Sequence, residues 1–254
     1  MLRLKIDQRK FDIVIQGAGP VGCVSALLAD SLGMSVLLID SRDECSYRGN
    51  AHYLNGYSLE ALILCGLDIE SLTRFATPES YAYAMSFGTK FSNILSRINL
   101  MDNDNVRGRY ADAGLFSGAL NVRVSVLHQL LIQQINKTNI TLEWHCTVTA
   151  LSLPDHEITI LRESFAESYT AQTRYCFACD GANSQLRSLC GINASKNHLQ
   201  SFINVHFSSD MNQLNVEPSL LYWMLNPAYP ACFVAHEVSG SQNCQIPIYR
   251  EDNV

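Results

Sequence analysis

The sequence has no cluster of lysine and arginine residues, no long apolar run and no secretion signal. Its 254 residues carry a net charge of −6, whereas a protein that binds nucleic acid is expected to present a basic face. No stretch reaches the roughly 18 apolar residues that a membrane-spanning helix needs, so we expect no membrane span. The N-terminal segment MLRLKIDQRK lacks the apolar core of a signal peptide, which favours a cytoplasmic location. Nothing in the sequence indicates an oligomeric state.

The sequence also lacks the partner motifs that would make its cysteines a metal or redox site. Cys176 and Cys179 form a C-F-A-C pair, but there is no second C-x-x-C, no H-x-x-x-H and no H-E-x-x-H. Residues three apart on a strand point to opposite faces, which is poor geometry for a disulfide. We therefore predict no metal site and reduced thiols that serve as small, buried packing residues.

The first forty residues show a pattern of alternating secondary structure. Residues 11–16 (FDIVIQ) predict a buried strand, residues 17–22 read GAGPVG, and residues 24–33 predict a helix that ends at Gly33. Residues 35–40 (SVLLID) predict a second buried strand. A strand–turn–helix–strand unit of about 30 residues indicates a βαβ motif and hence a parallel sheet.

The remaining chain predicts further helices and an antiparallel layer. The predicted elements are a helix over 57–66, exposed strands within 80–92, a loop over 101–110, a helix over 125–136 capped by Ser125, strands within 140–151 and 156–161, and a buried strand over 173–179. The predicted class is α/β, with a Rossmann-like domain built on a parallel sheet and an incomplete second domain built on a mainly antiparallel sheet. We place the first domain at 1–78 and 103–191, and the second at 79–102 and 192–254.

The GAGPVG turn is a complete G-x-G-x-x-G motif that follows a strand and opens a helix. The first glycine allows a tight turn, the second lets a pyrophosphate approach the backbone, and the third lets the helix pack on the sheet. The N–H groups at the helix start attract phosphate, and a proline in the first turn loses no hydrogen bond. The predicted dinucleotide-binding residues are Gly17, Ala18, Gly19, Pro20, Val21 and Gly22.

The second predicted strand ends in Asp40, 23 positions after Gly17. A carboxylate at this position accepts hydrogen bonds from the ribose hydroxyls of an adenosine and repels a 2′-phosphate. The glycine turn and Asp40 together predict a dinucleotide site, and they leave NAD and FAD open as the ligand.

A second motif, D-G-x-x-S-x-x-R, is formed by Asp180, Gly181, Ser184 and Arg187. With the glycine turn and Asp40 in the same order, residues 11–192 resemble the single-component FAD-dependent aromatic hydroxylases, the group of p-hydroxybenzoate and phenol hydroxylases. The resemblance implies a flavoprotein monooxygenase with FAD as cofactor and NAD(P)H as co-substrate. It also implies O₂ as the oxidant and an aromatic or similar small organic substrate that is hydroxylated.

The resemblance also implies roles for individual residues. Arg48 corresponds to an arginine that reaches the FAD pyrophosphate, and Asp180 to the acidic residue that binds FAD ribose and shapes the NAD(P)H path. Val148 lies where the family places a backbone group against the adenine. Arg123 lies one position from the register of the family's Arg-x-x-Leu pattern and is the implied flavin contact. Arg187 is expected to anchor its own helix or to pair with Asp180, and no catalytic residue is assigned.

The chain departs from the family pattern in its last part, because it has no Gly-Asp fingerprint before Val254. It resembles the N-terminal half to two-thirds of such an enzyme. Two alternatives therefore stay open: a truncated, catalytically silent chain of the FAD-binding fold, or another FAD-dependent oxidoreductase of that fold. The sequence lacks the W-x-W-x-I-P segment of flavin halogenases and the second G-x-G-x-x-G of disulfide reductases.

Other histidine and aromatic residues are candidates for the site or for the core. His52 and Tyr53 are candidates for substrate or flavin contact, whereas we predict that His128 is a partly exposed helix residue. Tyr222, Trp223 and Met224 are predicted to be sheet and core residues, with the lining of an aromatic pocket as the alternative.

Overall fold

The computed structural model describes residues 9–43, 53–102, 119–195 and 199–249. The helices are α1 (Pro20–Ser31), α2 (Gly56–Leu64), α3 (Ile69–Thr73), α4 (Glu79–Ala82), α5 (Val124–Ile135) and α6 (Gln185–Leu189). The strands are β1 (Arg9–Gln16), β2 (Val36–Asp40), β3 (Tyr53–Leu54), β4 (Ala84–Lys90), β5 (Asn93–Asn99), β6 (Leu120–Asn121), β7 (Thr141–Trp144), β8 (Cys146–Ser152), β9 (Glu157–Arg162), β10 (Glu167–Ala178), β11 (Ser201–Asp210), β12 (Leu221–Met224), β13 (Ala231–Ala235) and β14 (Ser239–Ile248). No helix in these ranges is long and apolar enough to cross a membrane.

The described residues divide into two compact units. The first takes its residues from 1–50, 61–67 and 124–195, and the second from 51–60, 68–123 and 196–254. Each unit contains one six-stranded sheet. The predicted domain limits describe parts of the chain that would fold independently. Compact units defined by contacts do not test independent folding, so these limits stay a prediction.

The sheet of the first unit has the strand order β7-β2-β1-β10-β9-β8. Strands β7, β2, β1 and β10 run parallel, and β9 and β8 continue the sheet antiparallel. The β2 residues VLLID are all buried, as expected for a central parallel strand covered on both faces. Gln16 at the end of β1 lies beside Ile39 of β2 and Ala178 of β10. The segments that follow these three strands therefore emerge together at one edge of the sheet.

The sheet of the second unit has the order β11-β14-β13-β12-β4-β5. Its neighbouring strands are antiparallel except for the β12–β4 pair, which is parallel. A core cluster on this sheet contains Tyr81, Met211, Tyr222, Met224 and Ala235. The predicted fold class, a parallel Rossmann-like sheet together with a mainly antiparallel second sheet, is confirmed.

Helix α1 begins and ends where its sequence provides the appropriate residues. Pro20 occupies the first helical position, where its missing N–H has no partner to lose. At the other end, the Gly33 N–H donates to the Asp30 carbonyl at 2.8 Å and the Met34 N–H to the Ala29 carbonyl at 3.1 Å. Gly33 has φ +79°. This is the Schellman arrangement, and it confirms the predicted helix end.

Three predicted elements are corrected by the structure. Helix α5 begins at Val124, so Ser125 lies within its first turn and is not the N-cap. Residues 80–92 are predicted as exposed strands, but the region begins within α4, a helical turn that follows Pro78 and whose last residues are buried. Strand β4, which comes next, is half-buried rather than exposed. The strand predicted over 173–179 is the end of the longer β10, where Tyr175 is 49% exposed. Of the predicted loop over 101–110, residues 103–110 lie outside the described residues.

An ionic cluster around Glu143 ties four strands of the first sheet together. The Glu143 carboxylate accepts hydrogen bonds from Arg162 Nη2 at 3.0 Å, from the Tyr169 hydroxyl at 2.9 Å and from the Arg9 guanidinium. Both arginines lie over the Tyr169 ring, at 4.9 Å for Arg9 and 4.6 Å for Arg162. Burial alone would raise the pKa of Glu143, but the hydrogen bonds from Arg162, Tyr169 and Arg9 outweigh it and hold the pKa below its ordinary value.

Candidate nucleotide-binding site

The glycine loop leaves β1 in a conformation that only glycine tolerates. Gly17 has φ +103°, and a Cβ added there would lie 2.2 Å from the Cys179 carbonyl oxygen. A Cβ added to Gly22 would lie 1.8 Å from the Gly17 carbonyl oxygen. Gly19 is the N-cap of α1 and provides no side-chain cap. The N–H groups of the first helical turn therefore face outward without a side-chain acceptor, as a phosphate site requires.

Ala18, in the middle of the loop, is fixed on both sides. Its N–H donates to Asp40 Oδ2 at 2.8 Å, and its carbonyl lies 2.7 Å from His128 Nε2 of α5. Because a carbonyl only accepts hydrogen bonds, Nε2 carries the proton in this contact. The Cys23 thiol donates to the same carbonyl at 3.1 Å. The loop is therefore preorganised by the protein itself.

His128 corrects the prediction of a partly exposed helix residue, because it is only 5% exposed. The signal was present in the sequence. The buried residues of α5 are Val124, Leu127, His128, Leu131, Ile132 and Ile135. This spacing is that of one helical face, on which His128 takes a core position.

The Asp40 carboxylate is buried beside the loop and is surrounded by donors. Oδ1 accepts from the Arg42 N–H at 2.9 Å and from Arg42 Nε at 3.0 Å, and Oδ2 accepts from Arg42 Nη2 at 2.9 Å and from Ala18. Burial alone would raise the pKa of Asp40, but the hydrogen bonds from Arg42 and Ala18 hold it below its ordinary value. Asp40 is therefore ionised at neutral pH.

The Asp180 carboxylate lies on the other side of the loop, after β10. Its Oδ2 accepts from Gln16 Nε2 at 3.2 Å and from the Leu186 N–H at 3.1 Å. Its Oδ1 is buried and has no hydrogen-bond partner among the described residues. Ser184 caps the following helix α6, and Arg187 Nη2 donates to the Ala182 carbonyl at 3.0 Å. Arg187 thus anchors its own turn, which was one of the two roles expected for it.

A pocket of about 310 Å³ lies along these residues. It is lined by Gln16, Gly17, Gly19, Pro20, Val21, Asp40, Ser41, Arg42, Cys179, Asp180 and Gly181. Most of the predicted dinucleotide residues thus meet in one place, and Ala18 and Gly22 are buried beneath them. Sequence reasoning did not identify Gln16, Ser41, Arg42 and Cys179 as part of the site, and it named Gly181 only as a member of the Asp-Gly motif. A polar residue that ends a buried apolar strand, as Gln16 does, was the available signal.

The polar groups of the pocket fit the chemistry of a dinucleotide. The open N–H groups of α1 are suited to phosphate oxygens, and carboxylates at Asp40 and Asp180 are suited to sugar hydroxyls. The buried and unpartnered Oδ1 of Asp180 is an acceptor that a bound hydroxyl would satisfy. At Gly17 and Gly22 an added Cβ would collide with a neighbouring backbone carbonyl, so this turn can be built only with glycine at both positions.

Two predicted contacts, Val148 and Arg123, are not among the described residues that line this pocket. Val148 is fully buried, and its N–H donates to Gln16 Oε1 at 2.9 Å. Arg123 forms an ion pair with Glu237 in the second unit, with Nη2 2.8 Å from Oε1. Arg48 and His52 lie outside the described residues.

The second unit has its own hollow of about 610 Å³. Its walls are mainly apolar and aromatic and include Phe91, Met224, Tyr229, Phe233 and Tyr249. Met224 therefore lies both in the core cluster and at this hollow. Tyr222 is a core residue whose hydroxyl accepts from the Ser219 N–H at 3.0 Å and donates to the Glu217 carbonyl at 3.1 Å.

The C-F-A-C cysteines carry free thiols. Burial raises the pKa of Cys176 to about 12 and also raises the pKa of Cys179. A raised pKa disfavours the thiolate, which is the reactive form of cysteine. Both side chains are half-buried rather than fully buried.

Comparisons with known proteins match nearly the whole chain. A family model described as FAD binding domain matches residues 10–251. A curated relative, 2,4-dichlorophenol 6-monooxygenase of Delftia acidovorans, is 22% identical over 220 residues, which is 85% of this chain and 38% of the relative.

Solved structures share the fold. The flavin-dependent monooxygenase PieE in complex with FAD and substrate matches with a TM-score of 0.85 and 21% identity, covering 96% of this chain and 44% of PieE. Aklavinone-11 hydroxylase with FAD and aklavinone matches with a TM-score of 0.80 and 16% identity, covering 98% of this chain and 48% of that protein. The rebeccamycin biosynthetic enzyme RebC matches with a TM-score of 0.79 and 18% identity, covering 96% and 48%. The chain thus spans less than half the length of these relatives.

Proposed function

Because this chain belongs to the FAD binding domain family, we propose that it binds FAD and acts as an FAD-dependent monooxygenase. Its substrate is a small organic molecule with an aromatic ring, which it hydroxylates with NAD(P)H and O₂. When bound, FAD supplies the redox chemistry of such a reaction, and the protein supplies binding and orientation. The family match supports FAD as the ligand, and the relatives' names support the reaction class.

One observation carries the proposal: the glycine loop lies between two carboxylates in a single pocket. The N-terminus of α1 attracts the negatively charged pyrophosphate, and Asp40 and Asp180 accept hydrogen bonds from hydroxyls on either side of it. The hydrogen bonds that fix Ala18 hold the loop in place before a ligand arrives. Less ordering is then needed on binding, which favours affinity.

The aromatic substrate is proposed from the relatives. The curated relative is named for 2,4-dichlorophenol, and one structural relative is named for aklavinone. Arg48, Arg123 and Val148 remain predicted FAD contacts within this proposal. Asp40 beside the adenosine ribose is consistent with FAD, since its negative charge would repel a 2′-phosphate.

The test is to purify the 254-residue chain, add FAD, remove the unbound cofactor and record the visible spectrum. We expect flavin absorption that stays with the protein, and NAD(P)H oxidation that phenolic compounds accelerate. A colourless protein after this treatment would reject FAD binding. Retained flavin without any NAD(P)H oxidation would reject monooxygenase activity for this chain and leave FAD binding supported.

A further inference from the structure

Gln16 is a buried amide at the end of an otherwise apolar strand. It follows the residues FDIVI, is 5% exposed and lines the pocket beside the glycine loop. A buried amide is unfavourable unless its donor and acceptor are both used. Here Oε1 accepts the Val148 N–H at 2.9 Å and Nε2 donates to Asp180 Oδ2 at 3.2 Å. Only this orientation of the amide satisfies both neighbours, because Val148 offers a donor and Asp180 an acceptor.

The contact with Gln16 restricts the Asp180 carboxylate. Oδ2 receives two donors, one from the Gln16 side chain and one from the Leu186 N–H at 3.1 Å. Oδ1 is buried and has no hydrogen-bond partner among the described residues. Oδ2 therefore accepts its hydrogen bonds from the protein, whereas Oδ1 is held in place as an acceptor without a donor among the described residues.

We propose that Gln16 is a positioning residue for the dinucleotide: it holds the Asp180 carboxylate so that Oδ1 accepts a hydroxyl of the bound sugar chain. This inference rests on the proposed binding of FAD. The partner must be a hydrogen-bond donor because a carboxylate only accepts hydrogen bonds and repels phosphate oxygens, and beside the pyrophosphate the donors of a dinucleotide are its sugar hydroxyls. The far end of the Gln16 amide is fixed on Val148 in β8, so a rigid sheet sets the direction of the carboxylate.

The same geometry distinguishes glutamine from its close analogues. Methionine has a similar length but provides neither hydrogen bond, so the Leu186 N–H alone is left to hold Asp180 Oδ2 and the carboxylate is less restricted. Ionised glutamate still accepts the Val148 N–H but has no donor for Asp180, and it places two negative charges together. Gln16→Glu therefore removes the Asp180 contact while it retains the other one.

The experiment compares FAD dissociation constants and apoprotein melting temperatures for the full chain and its variants. The variants are Gln16→Met, Gln16→Glu, Asp180→Asn, the Gln16→Met/Asp180→Asn double variant and Gln242→Met. Gln242 is the matched control because it is a glutamine that is 2% exposed in the second unit and donates to the Glu237 carbonyl at 2.7 Å. Its replacement removes a buried amide without touching Asp180.

We expect Gln16→Met and Gln16→Glu each to raise the FAD dissociation constant about 10-fold, the size of one lost charge-assisted hydrogen bond. Gln242→Met is expected to lower the melting temperature and leave the dissociation constant within about twofold of the starting chain. If Gln16 acts through Asp180, the double variant binds FAD no more than about twofold more weakly than Asp180→Asn alone.

Two results would overturn the inference. The first is an unchanged dissociation constant in Gln16→Glu or Gln16→Met, and the second is a double variant whose effect equals the product of the two single effects. If Gln16→Met fails to fold, Gln16→Glu alone decides the first point, because it keeps the hydrogen bond to Val148. A starting chain that does not bind FAD would instead reject the proposed function, and the inference with it.

Discussion

Asp40 remains ionised at 3% exposure because Arg42 and two backbone N–H groups surround it. The two oxygens of a carboxylate offer about four acceptor positions, and the structure fills all four. A ribose hydroxyl can therefore bind Asp40 only by replacing one of these donors. The Arg42 side chain is the exchangeable one, since it is half exposed while the Ala18 N–H is part of the loop. Asp40 thus has two roles: it accepts the hydrogen bond that holds the loop, and it is the proposed acceptor for a ribose hydroxyl.

Replacing Asp40 with alanine removes both the hydrogen bond to the loop and the proposed acceptor for the ribose. The Ala18 N–H loses its acceptor, and a buried donor without a partner costs about 1–3 kcal/mol. We expect Asp40→Ala to weaken FAD binding by roughly 10- to 100-fold, measured by titrating the apoprotein with FAD and following flavin fluorescence. Asp43→Ala, an exposed carboxylate three positions further along, is the control and is expected to bind as before. Equal FAD retention in Asp40→Ala would show that the glycine turn is not the adenosine site.

At the scale of elements, the turn between β1 and α1 depends on a glycine for two separate reasons. Gly17 has a positive φ, and a Cβ there would also collide with the Cys179 backbone at 2.2 Å. Gly33 shares the positive φ, +79°, but has no atom within 4 Å of such a Cβ. Comparing substitutions at Gly17 and Gly33 therefore separates the cost of backbone strain from the cost of steric collision.

We expect Gly33→Ala to destabilise the chain by only the conformational term, about 1–2 kcal/mol. Gly17→Ala adds the collision with the backbone of Cys179, directly after β10, so it should disrupt the sheet at the ends of β1 and β10 or shift the loop. The measurement is the urea unfolding midpoint of both variants together with their FAD affinity. Gly17→Ala with the stability and affinity of Gly33→Ala would contradict the tight loop geometry.

The Glu143 cluster makes the stability of the first sheet depend on pH in the acidic range. The pKa of Glu143 is lowered in the folded chain, so its contribution to stability is complete above the unfolded pKa of about 4.3 and is lost as the pH falls through the folded pKa. Urea midpoints of the original chain should therefore decrease below about pH 4.3. Glu143→Gln should be less stable at pH 7 and lose less on acidification. The exposed Glu167→Gln is the control, and an unchanged acid profile in Glu143→Gln would remove the cluster as the cause.

The elements near the glycine loop were predictable because short-range rules govern them. The apolar runs of β1 and β2, Pro20 and Gly33 each specify local geometry. Gln16 and His128 were not placed by the sequence, because their partners Val148 and Ala18 lie 132 and 110 positions away. Their roles depend on which elements become neighbours in the fold. The sequence alone shows only that an amide ends an apolar strand and that a histidine lies on an apolar helix face.

At the scale of the whole molecule, the second sheet has an apolar outer strand. Strand β11 pairs with β14 on one side, and among the described residues no strand pairs with its other side. Its sequence SFINVHFSSD contains no lysine, arginine or proline, and Phe202, Ile203 and Val205 are 52%, 50% and 41% exposed. The opposite edge strand β5 carries Arg97. The one acidic residue of β11, Asp210, is its last residue. An edge strand without lysine, arginine or proline pairs readily with another edge, so β11 is the expected contact between copies of this chain.

Val205→Lys tests this expectation, because it places a charge in the middle of β11 at a partly exposed position that has room for a longer side chain. We expect the chain to sediment as concentration-dependent assemblies and the variant to shift towards monomer at the same protein concentration. Leu95→Lys removes an exposed apolar side chain, 66% exposed, from β5 and is expected to leave the assemblies unchanged. If both variants reduced assembly equally, total surface hydrophobicity rather than edge pairing would be the cause. If neither did, β11 would not be the contact.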